Sequence, residues 1–255
     1  MMDRRWALRR GLAVVGLGWG LAWSGHALAE EITLYAAAGV KAPAEELVRD
    51  FERQTGHTVQ RVYDTAGAAE QRFADGGKRG LLITAQARLH RAPYLAEGVQ
   101  RAVGDTVAGV AVATSFARLP IGTSQGLREA LLSARRIAFS DPARGATVGT
   151  HFLHVIDQLG IRDEVLAKSV KARDGIETMK LVMSGEVDLG ITQVSEIMQA
   201  DASTLLGPFP RAFDLSTRYS LWFAQDAAPA VKALADLFTS EAGRAGLLQH
   251  GLRLP

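Results

Sequence analysis

Cysteine is absent from the 255-residue chain, which excludes a disulfide framework, thiolate metal sites and a cysteine nucleophile together. Aromatic residues make up only 7%, and no basic arm with interleaved aromatics offers a nucleic-acid surface. Past the first 29 residues no apolar run reaches the roughly 20 residues that a membrane span needs. Charge of one sign is missing as well, since 29 Lys and Arg stand against 27 Asp and Glu. This composition offers no metal cluster or nucleotide-binding pattern, so no cofactor is expected.

What is present begins with Arg4, Arg5, Arg9 and Arg10, an apolar stretch over 11–23, and the small-x-small sequence Ala27-Leu28-Ala29. That is the pattern of a signal peptide over 1–29, with Glu30 as the expected mature N-terminus and the periplasm as the destination. The two arginine pairs leave Sec and twin-arginine export both open. Without residues 1–29 the chain loses four Arg and one Asp, leaving 25 basic and 26 acidic side chains. The slight basic excess belongs to the signal.

Short apolar runs at 32–36, 58–63, 81–84, 107–113, 136–139, 189–192 and 220–224 predict strands, and amphipathic stretches at 42–55, 68–74, 148–159, 175–184 and 228–248 predict helices. The alternation implies βα units and a mostly parallel sheet. Three predicted strand-to-helix junctions are built from small residues: Ala36-Ala37-Ala38-Gly39, Thr65-Ala66-Gly67-Ala68 and Gly145-Ala146-Thr147-Val148-Gly149. Small side chains let backbone approach a ligand, and the open N–H groups of helix starts favour negative charge. One such junction can equally be a tight turn. Three together point to a small anion.

The runs Ile32-Thr33-Leu34-Tyr35-Ala36-Ala37-Ala38-Gly39, Phe51-Glu52-Arg53-Gln54-Thr55-Gly56-His57-Thr58-Val59, Asp64-Thr65-Ala66-Gly67-Ala68, Asp141-Pro142-Ala143 and Ser184-Gly185-Glu186-Val187-Asp188-Leu189-Gly190 carry a resemblance. With them the chain resembles the periplasmic molybdate-binding proteins of ABC transporters over nearly its whole mature length. The resemblance implies an α/β, two-lobed type II periplasmic-binding-protein fold with a ligand cleft between the lobes. Lobe one would comprise 31–109 plus 210–255, and lobe two 112–205. It further implies a small anionic ligand, an inner-membrane ABC permease as partner, and no nucleic acid. The implied ligand-binding positions are Ala38, Gly39, Lys41, Thr65, Ala66, Gly67, Thr84, Thr147, Val148, Ile176 and Gln193.

Departures from that family's pattern bear on the ligand. Gly39 and Ala66 stand where the family usually has serines donating to the oxyanion, Gln193 where a tyrosine is common, and Thr147 where proline is frequent. Two lost donors, at about 1.5 to 3 kcal/mol each, predict tetrahedral-oxyanion binding weaker by roughly two to four powers of ten. Lys41, near the first helix start, suggests a larger carboxylate with backbone N–H groups on one carboxyl and the ammonium on another. The same lysine is equally well read as an exposed helix residue. Some proteins similar to this family are aconitate isomerases, a chemistry needing a proton carrier of tuned pKa. For that alternative His151, Lys41 and Asp64 are the candidate acid or base groups.

Other patterns lead nowhere. Gly122-Thr123-Ser124-Gln125-Gly126 matches G-x-S-x-G, but a nucleophile elbow needs a strand before it, and 117–120 reads as a loop with Ser124 as a helix cap. His151 and His154 lie three apart with no third ligand in view. Glu45, Glu46, Arg49 and Asp50 form a charged, solvated helix face.

Overall fold

The computed structural model describes residues 29–91 and 98–254; the export signal expected over 1–29 lies, but for its last residue, outside them. The strands are β1 (Glu31–Ala37), β2 (Thr58–Asp64), β3 (Leu81–Ala85), β4 (Gly98–Val112), β5 (Ile137–Ser140), β6 (Ser169–Ala172), β7 (Leu189–Gln193), β8 (Leu205–Pro208) and β9 (Ser216–Ala224). Between and after them run α1 (Lys41–Thr55), α2 (Ala66–Asp75), α3 (Gln86–Leu89), α4 (Ser124–Ser133), α5 (Thr147–Gln158), α6 (Arg162–Ala167), α7 (Gly175–Met183), α8 (Val194–Asp201), α9 (Pro229–Thr239) and α10 (Glu241–Gln249).

The strands follow the order β2-β1-β3-β9-β4-β7-β5-β6, with β8 on the side of β4. β1 runs parallel to β2 and β3, and β5 runs parallel to β6 and β7, as short helical crossovers require. The fifteen-residue β4 belongs to both halves. It pairs with β9 as far as Val107, opposite Ser216, and from Ala108 onward with β7, opposite Gln193. Two cores lie on either side of that change. Leu34, Val48, Ile83, Leu221, Leu234 and Phe238 fill the first, and Val110, Leu131, Phe139, Phe152, Ile156 and Ile191 fill the second. The molecule is thus a two-lobed α/β protein whose sheets share one strand.

Local chemistry explains most element ends. α1 buries Ala44, Leu47, Val48 and Phe51 on one stripe and stops at Gly56, whose φ of 75° only glycine adopts without strain. Sequence patterning predicts β4 only from residue 107, because the register shift between Ala102 and Gly104 breaks the alternation of its first half. The terminal helix, predicted as one over 228–248, is two. Ser240 ends α9 and accepts a hydrogen bond from Gly243 N at 3.0 Å to cap α10. Ser124 opens α4, but the capping side chain is Thr123, which accepts from Gly126 N at 3.1 Å. Strands β6 and β8 and helix α8 are too short to stand out in the sequence.

α5 docks on the end of β5 so closely that a Cβ at Gly149 would fall on the Ser140 carbonyl oxygen. Gly149→Ala is therefore expected to destabilise by about 1 to 3 kcal/mol through forced backbone displacement. Urea unfolding checks this. A variant as stable as wild type would show that the α5 start has slack.

Candidate functional site

The lobes meet around one small cavity lined by Ala37, Ala38, Thr65, Ala66, Ser140, Ala146, Thr147, Val148, Gly175, Thr192, Gln193, Glu196 and Tyr219. Five helix or turn starts converge on it: Ala38–Val40 ahead of α1, then α2, α5, α7 and α8. Two of them, the Ala38–Val40 turn and α5, have no side-chain cap, although Ala38, Gly39, Ala146 and Val148 are buried. Open N–H groups buried in this way call for an acceptor from outside the helix. No Lys or Arg lines the cavity among the described residues. Any positive potential there comes from aligned backbone dipoles. Its volume is about 30 Å³, room for a few heavy atoms, given that one water takes roughly 10 to 15 Å³.

Of the residues predicted from sequence, Ala38, Thr65, Ala66, Thr147, Val148 and Gln193 line this cavity. Thr65 has a structural task as well, capping α2 by accepting from Ala68 N at 3.1 Å and donating to the Arg144 carbonyl. Thr84 is fully buried and donates to the Ala66 carbonyl at 3.0 Å, supporting the first turn of α2 from behind. Gly67 packs against Gly145 of the opposite lobe. Lys41 and Ile176 line a separate groove of about 470 Å³, where the Lys41 ammonium sits 5.6 Å from the Tyr63 ring centroid. Ala38 and Glu196 border both the cavity and this groove, so the two are neighbours.

The proton-transfer candidates are not brought together. His151 Nε2 lies 2.8 Å from the Phe213 carbonyl oxygen. Asp64 is buried between Arg144 and Arg72, at 2.7 and 2.9 Å from the two guanidiniums, and also accepts from Thr65 N. Neither reaches the cavity lining.

Five lining residues escaped the sequence reading: Ser140, Gly175, Thr192, Tyr219 and Glu196. Tyr219, on β9, is buried, and a Cβ at Gly39 would fall on its hydroxyl oxygen. The phenol therefore fills the space that a serine at position 39 would use, and it brings a hydroxyl back to the cavity. Burial, then the nearby Glu196 charge, raises the Tyr219 pKa well above the usual phenol value. Glu196, in the first turn of α8, accepts from Thr192 Oγ1 and from Gln193 N at 3.1 Å. Burial foremost, with the Asp174 charge adding to it, raises its carboxyl pKa to about 7. The spacing Gln193-x-x-Glu196 after a strand is a local signal that could have located it.

A family model described as bacterial extracellular solute-binding protein matches residues 32–253. The chain belongs to that family. It is 24% identical over 202 residues to the molybdate-binding protein ModA of Escherichia coli (strain K12), covering 76% of this chain and 78% of the relative. Among solved structures it resembles the periplasmic molybdate-binding protein of Azotobacter vinelandii, with TM-score 0.70, 19% identity, and coverage of 88% and 99% of the two chains. It also resembles PEB3 bound to L-phospholactate, with TM-score 0.64, 14% identity, and coverage of 88% and 100%. At these identities the likeness is one of fold.

Solute-binding proteins of this shape work by lobe closure, and here the seam is held by polar contacts. Arg144 of lobe two pairs with Asp64 of lobe one. Gly67 N donates to Gly145 O at 3.3 Å. The Gln199 amide donates to Gly39 O and accepts from Ala42 N, both at 2.8 Å. A Cβ at Gly67 would lie 2.7 Å from Gly145 Cα and 3.0 Å from Arg144 O, both backbone atoms. Gly67→Ala should hold the lobes apart while leaving each lobe folded, weakening ligand binding by about ten-fold or more. Calorimetry with an anion that raises the wild-type melting temperature tests this; an unchanged affinity would show that the Gly67–Gly145 contact is not needed for binding.

Proposed function

We propose that this chain is an exported, periplasmic binding subunit that delivers a small anion to an inner-membrane ABC permease, and that the anion is an organic carboxylate rather than molybdate. One observation carries the anion reading: uncapped, buried helix starts from both lobes converge on a cavity that, among the described residues, no cationic side chain lines. In this reading lobe one comprises 31–109 with 210–255 and lobe two comprises 112–205, hinged at β4 and at the return segment.

The carboxylate preference draws on the adjoining groove. The inner cavity suits a single carboxyl group, and the groove beyond Ala38 and Glu196 offers apolar Ile176 and Met179 together with Lys41. A tetrahedral oxyanion has no use for such an extension, whereas a carbon skeleton with a second carboxylate does. Ala66 still lacks the hydroxyl donor of the molybdate-binding pattern. Proton transfer on an aconitate-like substrate is a second reading, favoured by Glu196, a carboxyl titrating near neutrality inside the cavity.

Calorimetry with molybdate, sulfate and a series of mono-, di- and tricarboxylates separates these readings. Di- or tricarboxylates are expected to bind more tightly than molybdate. Lys41→Ala should cost them about 1 to 2 kcal/mol and leave monocarboxylates unaffected, since the ammonium is half-buried and partly screened. Molybdate binding more tightly than every carboxylate, or indifference of dicarboxylates to Lys41→Ala, would defeat the carboxylate reading. Formation of cis-aconitate from trans-aconitate would move the protein to the isomerase class.

A further inference from the structure

The anion cavity contains a feature that works against its evident purpose. Helix starts gather there as if for negative charge, yet the Glu196 carboxyl lines the same cavity. It is packed against the backbone of Gly175 at the start of α7, where a Cβ would fall on its carboxyl atoms. Both of its hydrogen bonds, from Thr192 Oγ1 and Gln193 N, end on Oε2. Among the described residues Oε1 accepts none, and no cation pairs with the group. An ionised Glu196 would face an incoming anion at close range, where like charges repel. A protonated Glu196 would instead be a donor.

We propose that Glu196 is a specificity-determining, proton-sharing residue: it meets the bound anion as a carboxylic acid donating a hydrogen bond. The site therefore favours acids that can share this proton, and takes one from solvent when the anion brings none. The inference rests on the anion reading above and sharpens it to a ligand class. Monohydrogen oxyanions and partly ionised carboxylic acids are accepted at neutral pH. Fully ionised oxyanions are accepted only together with a proton.

The surroundings of Glu196 support this from every side. At the start of α7 the buried Asp174 is held by Glu177 N at 2.8 Å and by Arg173 Nε at 3.3 Å. Its negative charge adds to burial in driving Glu196 toward the neutral form. From β9 the Tyr219 phenol, itself held neutral by burial, faces the same space. β7 contributes neutral donors, Thr192 Oγ1 and Gln193 N. Across the outer groove stand Lys41, Glu45, Glu46 and Arg49 of α1 and Lys180 of α7. Their signs are mixed, and none of them bonds to Glu196.

The test is calorimetry of wild type and Glu196→Gln with sulfate, molybdate and succinate at about pH 6 and about pH 8.5, each in two buffers of different ionisation enthalpy. These probes carry no proton over most of this range, so the proton must come from solvent. Wild-type affinity is expected to fall about ten-fold for each pH unit above the Glu196 titration, roughly thirty-fold overall. Uptake of close to one proton at the higher pH should appear as a buffer-dependent heat. The glutamine keeps a donor without a titration, so its affinity should be nearly constant with pH and exceed that of wild type at about pH 8.5. Wild-type binding that is strong and independent of pH would overturn the proposal, as would the same slope in Glu196→Gln. Failure of every probe and every carboxylate to bind at either pH would instead overturn the anion reading, and this proposal with it.

Discussion

Burying the first N–H groups of several helices at the seam between two lobes is the constraint from which the rest of the arrangement follows. Each such group left without an acceptor costs about 1 to 3 kcal/mol, and neither the Ala38–Val40 turn nor α5 supplies a side-chain cap. The lining at these points is small, with Ala37, Ala38, Ala66 and Ala146, so an acceptor can come to the backbone itself. A ligand with lone pairs and negative charge satisfies the groups that the fold leaves open. That no lysine or arginine lines the cavity among the described residues is then no paradox, because the helix dipoles supply the field.

The same constraint shapes how the lobes join. Each lobe has its own apolar core, and the contacts between them at the cavity mouth are polar: Asp64 with Arg144, Gly67 with Gly145, and Gln199 with Gly39 and Ala42. Polar seams of this kind can exchange their bonds with water, so opening does not expose a core. β4 provides the continuity that such a movement needs. One strand changes partners at Val107 and Ala108, which allows two sheets to rotate about a shared backbone without breaking either ladder.

Relatives that share the fold do not settle the ligand, because specificity resides in a handful of lining atoms. Here those atoms have been redistributed between elements. The Tyr219 phenol from β9 fills the space beside Gly39, and the turn into α8 contributes Glu196 to the cavity lining. Neither contribution is visible within a single motif, because each comes from a separate element of the fold.

The sequence by itself determined the α/β alternation, the three small-residue junctions and, through Ala38, Ala66, Thr147 and Gln193, much of the cavity lining. These are local signals: hydrophobic period, helix starts and turn-compatible residues lie within a few positions of one another. It did not reveal the first half of β4, whose bulge erases the alternation, or the break at Ser240. Tertiary structure alone decided that Lys41 faces Tyr63 and a neighbouring groove, that Asp64 serves as an ion-pair partner of Arg144 eighty residues away, and that Tyr219 and Glu196 share the cavity. Those facts depend on which strands lie side by side and on how far the lobes close. Packing and electrostatics between distant segments set them, and no pattern within one segment records them.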